Sequence, residues 1–256
     1  MDPRLSAFER LLNIMDDLRA KCPWDREQTM ESLRHLTIEE VYELTDAILA
    51  CDYEEVKKEL GDILLHIVFY AKIGSESGKF DITSVIHQVC DKLVHRHPHI
   101  YGDVKVTDAE QVSQNWEQLK LKEGKKSVLE GVPNSLPSMI KSMRIQDKAR
   151  SAGFDWEQRE QVLDKVEEEL RELRQEIREG RAEKMKDEFG DVLFSMVNLS
   201  RFLDINADEA LERTNLKFIS RFRYLEDAAR EKGLTLKEMT LEQMDVFWNE
   251  AKARGL

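Results

Sequence analysis

Helix and strand breakers are scarce in this chain. Its 256 residues include only eleven glycines and five prolines, far fewer than a low-complexity or collagen-like chain needs. Strand signals are nearly missing too: there is no Asn-Gly or Asp-Gly hairpin dipeptide, and β-branched runs are few. No apolar run approaches the roughly 18 residues of a membrane span. The first residues, Met-Asp-Pro-Arg-Leu-Ser, carry no apolar h-region, so no secretory signal is expected. The three cysteines, Cys22, Cys51 and Cys90, are far apart and form no C-x-x-C pair. That excludes a disulfide framework and a zinc ribbon, and implies reduced thiols in the cytoplasm. Positive charge is also in deficit. A net charge of −12 argues against non-specific binding to nucleic acid or to an anionic membrane.

What remains is helix. Hydrophobic residues make up 41% of the chain and charged residues 35%, enough for a core and against wholesale disorder. Starts and stops are marked. Asp2-Pro3 reads as an N-cap with proline at the first helical position. Thr37-Ile38-Glu39-Glu40 and Asp52-Tyr53-Glu54-Glu55 read as capping boxes. Asp81 opens a helix that Pro98 closes, and Gly180 and Gly233 stand where helices end. The expected fold class is all-α, in two tandem helical bundles of four or five helices each. The first covers 1–122 and the second 138–256, joined by an irregular linker, 123–137, that holds Gly124, Gly131, Pro133 and Pro137.

The two halves repeat. Glu59-Leu60-Gly61-Asp62 returns as Glu188-Phe189-Gly190-Asp191, and Glu39-Glu40-x-x-Glu43 as Glu168-Glu169-x-x-Glu172, both at an offset of 129. Trp24 and Trp116 return as Trp156 and Trp248 at an offset of 132. A repeat of this length is a duplicated domain, not a solenoid unit.

Each copy thus carries E-E-x-x-E on one helix and E-x-x-D on the next. Residues three apart share a helical face. Glu40 with Glu43, and Glu59 with Asp62, each point one way. So do Glu169 with Glu172 and Glu188 with Asp191. The residues after the second pair are apolar, Ile63 to Tyr70 and Val192 to Val197, so these helices are expected to be largely buried. Four carboxylates at the edge of a core repel one another and are driven towards protonation. A divalent cation relieves this, and oxygen-only ligands favour Mg²⁺, with Mn²⁺ as a substitute. An acidic helix is more often a solvated face, and residues 157–188 mix twelve acids with eight bases. That reading leaves the return of the quartet at one offset unexplained. A di-iron bundle needs Glu-x-x-His pairs, and all six histidines lie in the first copy. His95, His97 and His99 read as charge at a helix C-terminus rather than as a zinc site.

Mg²⁺ held by helix carboxylates commonly serves a phosphate substrate, which also needs cations. Lys217 and Arg221 are four apart on one helix, with Phe218 and Phe222 expected on an adjacent buried face. Trp248 and Lys252 form another i,i+4 pair, suited to stacking on a base and touching phosphate. The first copy offers Lys92 with Arg96, and Trp116 with Lys120.

The double quartet, the Cys22-Pro23-Trp24-Asp25 stretch followed by Gln28-Thr29, and Gly153-Phe154-Asp155-Trp156 resemble the MazG family of nucleoside triphosphate pyrophosphohydrolases. The resemblance covers essentially the whole chain. The quartet alone is shared with the wider all-α superfamily that includes dimeric dUTPases. The resemblance implies a homodimeric bundle that uses Mg²⁺ to hydrolyse (deoxy)nucleoside triphosphates to the monophosphate and pyrophosphate, chiefly in the second copy. It makes Glu169, Glu172, Glu188 and Asp191 metal ligands. Lys217, Arg221, Trp248 and Lys252 become nucleotide contacts. Glu168 or Glu169 would accept the proton of the attacking water, and Lys217 and Arg221 would steady the leaving pyrophosphate. A second metal site would lie at Glu40, Glu43, Glu59 and Asp62. There, Lys92-Leu93-Val94-His95-Arg96-His97 replaces the Asn-x-Lys-Phe pattern, a departure that counts against turnover in the first copy but not against metal binding. No P-loop or nucleophile elbow is present. Two other readings stay open: a non-catalytic acidic nucleotide-binding regulator, and a narrow-substrate relative of the dUTPase or phosphoribosyl-ATP pyrophosphohydrolase kind.

Overall fold

The computed structural model describes residues 2–108, 111–112, 115–116, 119 and 127–256. Among these residues there is no strand. Contacts divide the chain into two compact units, 1–107 and 108–256. The first four residues of the expected linker, 123–126, lie outside the described residues. Residues 127–137 form turns and irregular backbone up to the next helix.

The first unit holds α1 (Pro3–Lys21), α2 (Pro23–Glu27), α3 (Met30–Leu49), α4 (Tyr53–Glu76), α5 (Ile82–Arg96) and α6 (Pro98–Tyr101). The Asp2 side chain caps α1, accepting from Arg4 N. Asp52 caps α4, accepting from Glu54 N and Glu55 N at 3.2 and 3.1 Å. The helix start expected at Thr37 is not there. α3 begins seven residues earlier, where Thr29 and Ser32 cap each other, a motif that stabilises a helix by roughly 1 kcal/mol. Thr37 lies mid-helix, its hydroxyl 3.1 Å from Leu33 O and 2.8 Å from the Tyr70 hydroxyl. The earlier cap wins because it lets α3 deliver Leu33 to the core.

That core is Met15, Leu33, Val68 and Phe69, fed by α1, α3 and α4. Arg19 ties it to the Cys22–Thr29 segment. Its guanidinium lies over the Phe69 ring, 5.6 Å from the centroid. It donates to the carbonyls of Asp25 and Gln28 and pairs with Glu76 at the end of α4. The Cys22-Pro23-Trp24-Asp25 motif is thus pinned through its backbone, which leaves Trp24 exposed.

The second unit holds α7 (Ser138–Ser151), α8 (Arg159–Glu179), α9 (Ala182–Phe202), α10 (Ala207–Glu231), a 3₁₀ turn (Leu236–Glu238) and α11 (Leu241–Ala253). α8 ends at Gly180, which adopts a left-handed φ of 67° that only glycine takes at little cost. α8 and α9 form a long antiparallel hairpin, the counterpart of α3 and α4. Asp155 of the Gly153–Trp156 loop is held by Arg201 near the end of α9. A second small core, Leu225, Ala229, Met239 and Phe247, joins α10 to α11.

The hairpin helices are less buried than their composition suggests. On α9 only Ser195 and Val197 are buried, and Phe189, Leu193, Phe194 and Met196 are exposed. On α4, Leu60, Leu64 and Ile67 are exposed at the equivalent positions. The apolar residues split between an inward face and an outward face, and each unit covers only the inward one. No helix among the described residues is long and apolar enough to cross a membrane.

Candidate metal centres

Both hairpins gather carboxylates where their two helices pack. On α3 and α4, Glu40, Glu43 and Glu59 each offer an oxygen within 4.8 Å of the other two. On α8 and α9, Glu169, Glu172 and Glu188 do the same. Spacing places the first two of each set on one turn, and the antiparallel partner brings the third. Among the described residues no other group of three His, Cys, Asp or Glu side chains is this tight, His95, His97 and His99 included. Asp62 and Asp191 stand outside these triplets. Their charge still reaches them, since each is among the groups that raise a neighbouring glutamate's pKa, Glu40 in one case and Glu188 in the other.

In each cluster one carboxylate is deeply buried. Glu59 is 1% exposed. Its Oε1 accepts from Lys58 Nζ at 3.1 Å, and its Oε2 is buried without a partner. In the second unit the buried member is Glu169, whose Oε1 meets Lys165 Nζ at 2.7 Å. The same ammonium holds Glu168 Oε1 at 2.9 Å. Neither lysine was picked out from the sequence, although Lys165 lies three and four residues before its partners and that spacing was the available signal. Burial, then the neighbouring carboxylates, push the Glu40 and Glu188 carboxyls above their ordinary value. The adjacent glutamates hold the Lys58 and Lys165 ammonium groups firmly protonated.

An orphaned carboxylate oxygen beside two further carboxylates is an unfavourable arrangement in a protein interior. It fits a hard divalent cation. The donors are all oxygen, and a cation at their centre would satisfy Glu59 Oε2 and relieve the mutual repulsion.

The cations and aromatics expected to meet a nucleotide form a separate group. Phe218 on α10 and Trp248 on α11 pack with ring centroids 5.0 Å apart, and Phe222 stacks on Phe218 at 6.0 Å. The Arg221 guanidinium lies 5.8 Å from the Trp248 ring centroid, and its Nε donates to Leu256 O at 2.6 Å. Trp248 leans on the α10–α11 core. Phe218 and Phe222 are exposed, Phe218 by 55%, so their expected buried face is an open one. The unit has too few helices around α10 to cover it. Lys217 is exposed, and neither it nor Lys252 is in an ion pair among the described residues. No hydrogen bond or ion pair among the described residues joins Lys217, Arg221, Trp248 or Lys252 to the Glu169 cluster. Trp116, which the repeat assigns to the first copy, is half-buried, and Lys120 lies outside the described residues.

Residues 28–101 and 157–225 each match the MazG nucleotide pyrophosphohydrolase domain. The two matches take in both carboxylate hairpins. The chain is 44% identical over 96% of its length to the nucleoside triphosphate pyrophosphohydrolase/pyrophosphatase MazG of Thermotoga maritima, covering 95% of that protein. It is 38% identical over 98% of its length to the nucleoside triphosphate pyrophosphohydrolase of Escherichia coli, covering 99% of that protein. This chain belongs to the MazG nucleotide pyrophosphohydrolase family. A crystal structure of a mazG-related protein from Thermotoga maritima aligns with 44% of the chain and 98% of its own, at 28% identity and a TM-score of 0.40. Within the second MazG match lie Glu168, Glu169, Glu172, Glu188, Asp191, Lys217 and Arg221. Trp248 and Lys252 fall beyond its end at residue 225.

Proposed function

We propose that this MazG-family protein hydrolyses (deoxy)nucleoside triphosphates to nucleoside monophosphate and pyrophosphate with the help of Mg²⁺, chiefly in its second unit. The observation that carries this reading is the paired carboxylate triplet, repeated in both hairpins, with a buried unpartnered oxygen on Glu59. Glu169, Glu172 and Glu188 would hold the ion, with Asp191 beside them. Glu40, Glu43, Glu59 and Asp62 would form the corresponding site of the first unit. Bound there, Mg²⁺ (or Mn²⁺) supplies positive charge against the polyphosphate and makes nearby water more acidic.

The chain's own groups supply the rest. Glu168 is exposed beside the cluster and oriented by Lys165. It, or Glu169, takes the proton of the water that attacks phosphorus. Lys217 and Arg221 donate to the departing pyrophosphate, whose negative charge grows as the bond breaks. Trp248 offers a face to the base, and Lys252, one turn on, reaches phosphate. The first unit keeps its carboxylates but has Lys92 and Arg96 in a different pattern, so it binds metal with little turnover.

The working protein on this reading is a homodimer. Val41, Ile48, Leu60, Leu64 and Ile67 are exposed on the first hairpin, and Leu170, Ile177, Phe189, Leu193 and Met196 are exposed at the same positions of the second. Apolar surface repeated in this way calls for a protein partner, and a second copy supplies a self-complementary one. The reading places the protein in the cytoplasm, where three unpaired thiols are at home.

The test is incubation of the full chain with a panel of NTPs and dNTPs, with Mg²⁺ and then with a chelator. Stoichiometric monophosphate and pyrophosphate, lost on chelation, is the expected result. Release of orthophosphate, or no turnover of any nucleotide, would overturn it.

A further inference from the structure

α8 carries a second pattern, on the face turned away from the carboxylate cluster. Its buried residues are Val162, Val166, Glu169 and Glu176. Further round the helix, Leu163, Leu170 and Ile177 recur every seven residues and are 48%, 39% and 57% exposed. Beside this apolar stripe runs a charged one. Glu160, Asp164 and Glu167 occupy its N-terminal half, and Arg171, Arg174 and Arg178 its C-terminal half, all of them exposed. The helical repeat puts these six within an arc of about 80°.

The charge order does little for the helix that holds it. Neighbours one turn apart mostly share a sign: Glu160 with Asp164, Asp164 with Glu167, Arg171 with Arg174, and Arg174 with Arg178. Such pairs destabilise a helix. The macrodipole favours acids and then bases along a helix, but only in the first and last turns. Glu167, Arg171 and Arg174 lie well inside Arg159–Glu179. The side chains of Asp164, Glu167, Arg174 and Arg178 enter no ion pair or hydrogen bond among the described residues. The first unit builds the same hairpin without these charges. At an offset of 129, Glu167, Arg171, Arg174 and Arg178 become Ile38, Tyr42, Thr45 and Leu49, while Leu170 and Ile177 become Val41 and Ile48.

A second α8 laid antiparallel on the first satisfies the whole stripe, because the acidic half of each meets the basic half of the other. With a two-fold axis at Leu170, that residue meets its own copy and Leu163 meets the partner's Ile177. Glu167 then falls one residue, about 1.5 Å, from the level of the partner's Arg174, and Asp164 two residues, about 3 Å, from that of the partner's Arg178. Side chains of this length span both offsets. In a heptad pair, flanking charges of this kind set partner and direction. A parallel pair would set Glu167 on Glu167 and Arg174 on Arg174. Docking on the apolar stripe of a first unit would leave the same charges without partners.

We propose that the second unit docks on a second copy of itself through the outer face of α8, antiparallel and centred on Leu170, with Glu167–Arg174 and Asp164–Arg178 ion pairs each formed twice across the axis. The pairing rests on the homodimer proposed above. It adds the face, the direction and the register, which exposed apolar residues alone leave open.

The test is sedimentation equilibrium of the full chain at low salt. Arg174→Glu or Glu167→Arg alone weakens the dimer about tenfold, since each sets like charges together at two symmetric places. Combining Glu167→Arg with Arg174→Glu restores opposite signs and brings the dissociation constant back to within about twofold of wild type. High salt narrows these differences. Direction is read in a chain with Cys22, Cys51 and Cys90 changed to serine. There Leu170→Cys forms an interchain disulfide on oxidation, and Leu163→Cys does not, because the two copies of residue 163 stand about 21 Å apart. Circular dichroism confirms that each variant is folded. Single variants that leave the dimer intact, a double variant as weak as the singles, or a Leu163→Cys disulfide as ready as that of Leu170→Cys would overturn the pairing while the homodimer stands. A wild-type chain that stays monomeric would overturn both.

Discussion

Glu172 and Glu43 are equivalent residues in equivalent clusters, both exposed beside a buried glutamate. Their surroundings differ in the cations each unit provides. Loss of a group that acts on the transferring phosphoryl typically costs a hundredfold or more. Glu172→Gln is therefore expected to lower kcat by about that factor, and Asp191→Asn to do likewise, with helix content unchanged by circular dichroism. Glu43→Gln is expected to change kcat little. If Glu43→Gln proves the more damaging, the first unit is the main catalyst and the division of labour is inverted. A second residue-scale prediction concerns Arg19. Its hydrogen bond holds the Glu76 carboxyl below the ordinary 4.5. A depressed carboxyl adds stability above the unfolded value, and that gain is lost as pH falls through the folded one. The melting temperature of wild type should therefore exceed that of Glu76→Gln at neutral pH, and the gap should narrow below about pH 4.5. A gap that stays constant to pH 3 would show that the ion pair is not its source.

Helical spacing was a good guide within an element and a poor one at its edges. It placed Glu40 with Glu43, and Glu169 with Glu172, on shared faces, because a turn of helix is set by the backbone alone. It misplaced the start of α3 because Thr37 carries the Thr-x-x-Glu signature, while the true cap at Thr29 pairs with a serine, Ser32. The earlier start brings Leu33 into the core. Gly61 and Gly190 sit inside α4 and α9, where glycine costs roughly 0.5–1 kcal/mol relative to alanine. A methyl group at either position would meet no atom within 4 Å. Gly190→Ala is therefore expected to raise the unfolding free energy by about 0.5–1 kcal/mol, read by urea denaturation. A clear loss of stability instead would show that another surface comes within contact distance of this turn of α9.

At the scale of the whole molecule, the outward faces of the hairpins dominate. Leu193 is 47% exposed on α9, in line with Phe189 and Met196. The proposed homodimer buries this face. Light scattering at micromolar concentration should give twice the chain's 29.9 kDa. Leu193→Asp should give the monomer with little loss of helix, because the side chain makes no part of either buried core. A stable wild-type monomer would sink the dimer. Mg²⁺ should also raise the melting temperature by mass action, by an increment that corresponds to about 2.7 kcal/mol at a hundred times its dissociation constant. Glu172→Gln should reduce that increment.

The helical class, the duplication and the three glutamates of each carboxylate cluster were legible in spacing, since each rests on interactions within a few residues or on an internal repeat, whereas Asp62 and Asp191, expected as fourth members, stand outside the triplets. Tertiary packing decided the rest. It made Glu59 the buried member of one cluster and Glu169 of the other, and it brought Lys165 onto its two glutamates. It left the apolar outer faces of α4 and α9 uncovered, which composition had suggested would be buried. It set Phe218 and Arg221 against Trp248 across two helices. It also turned Arg201 towards Asp155, where its counterpart Lys72 pairs with Asp16. These outcomes depend on how neighbouring helices rotate and slide against one another, and distance along the chain carries no measure of that.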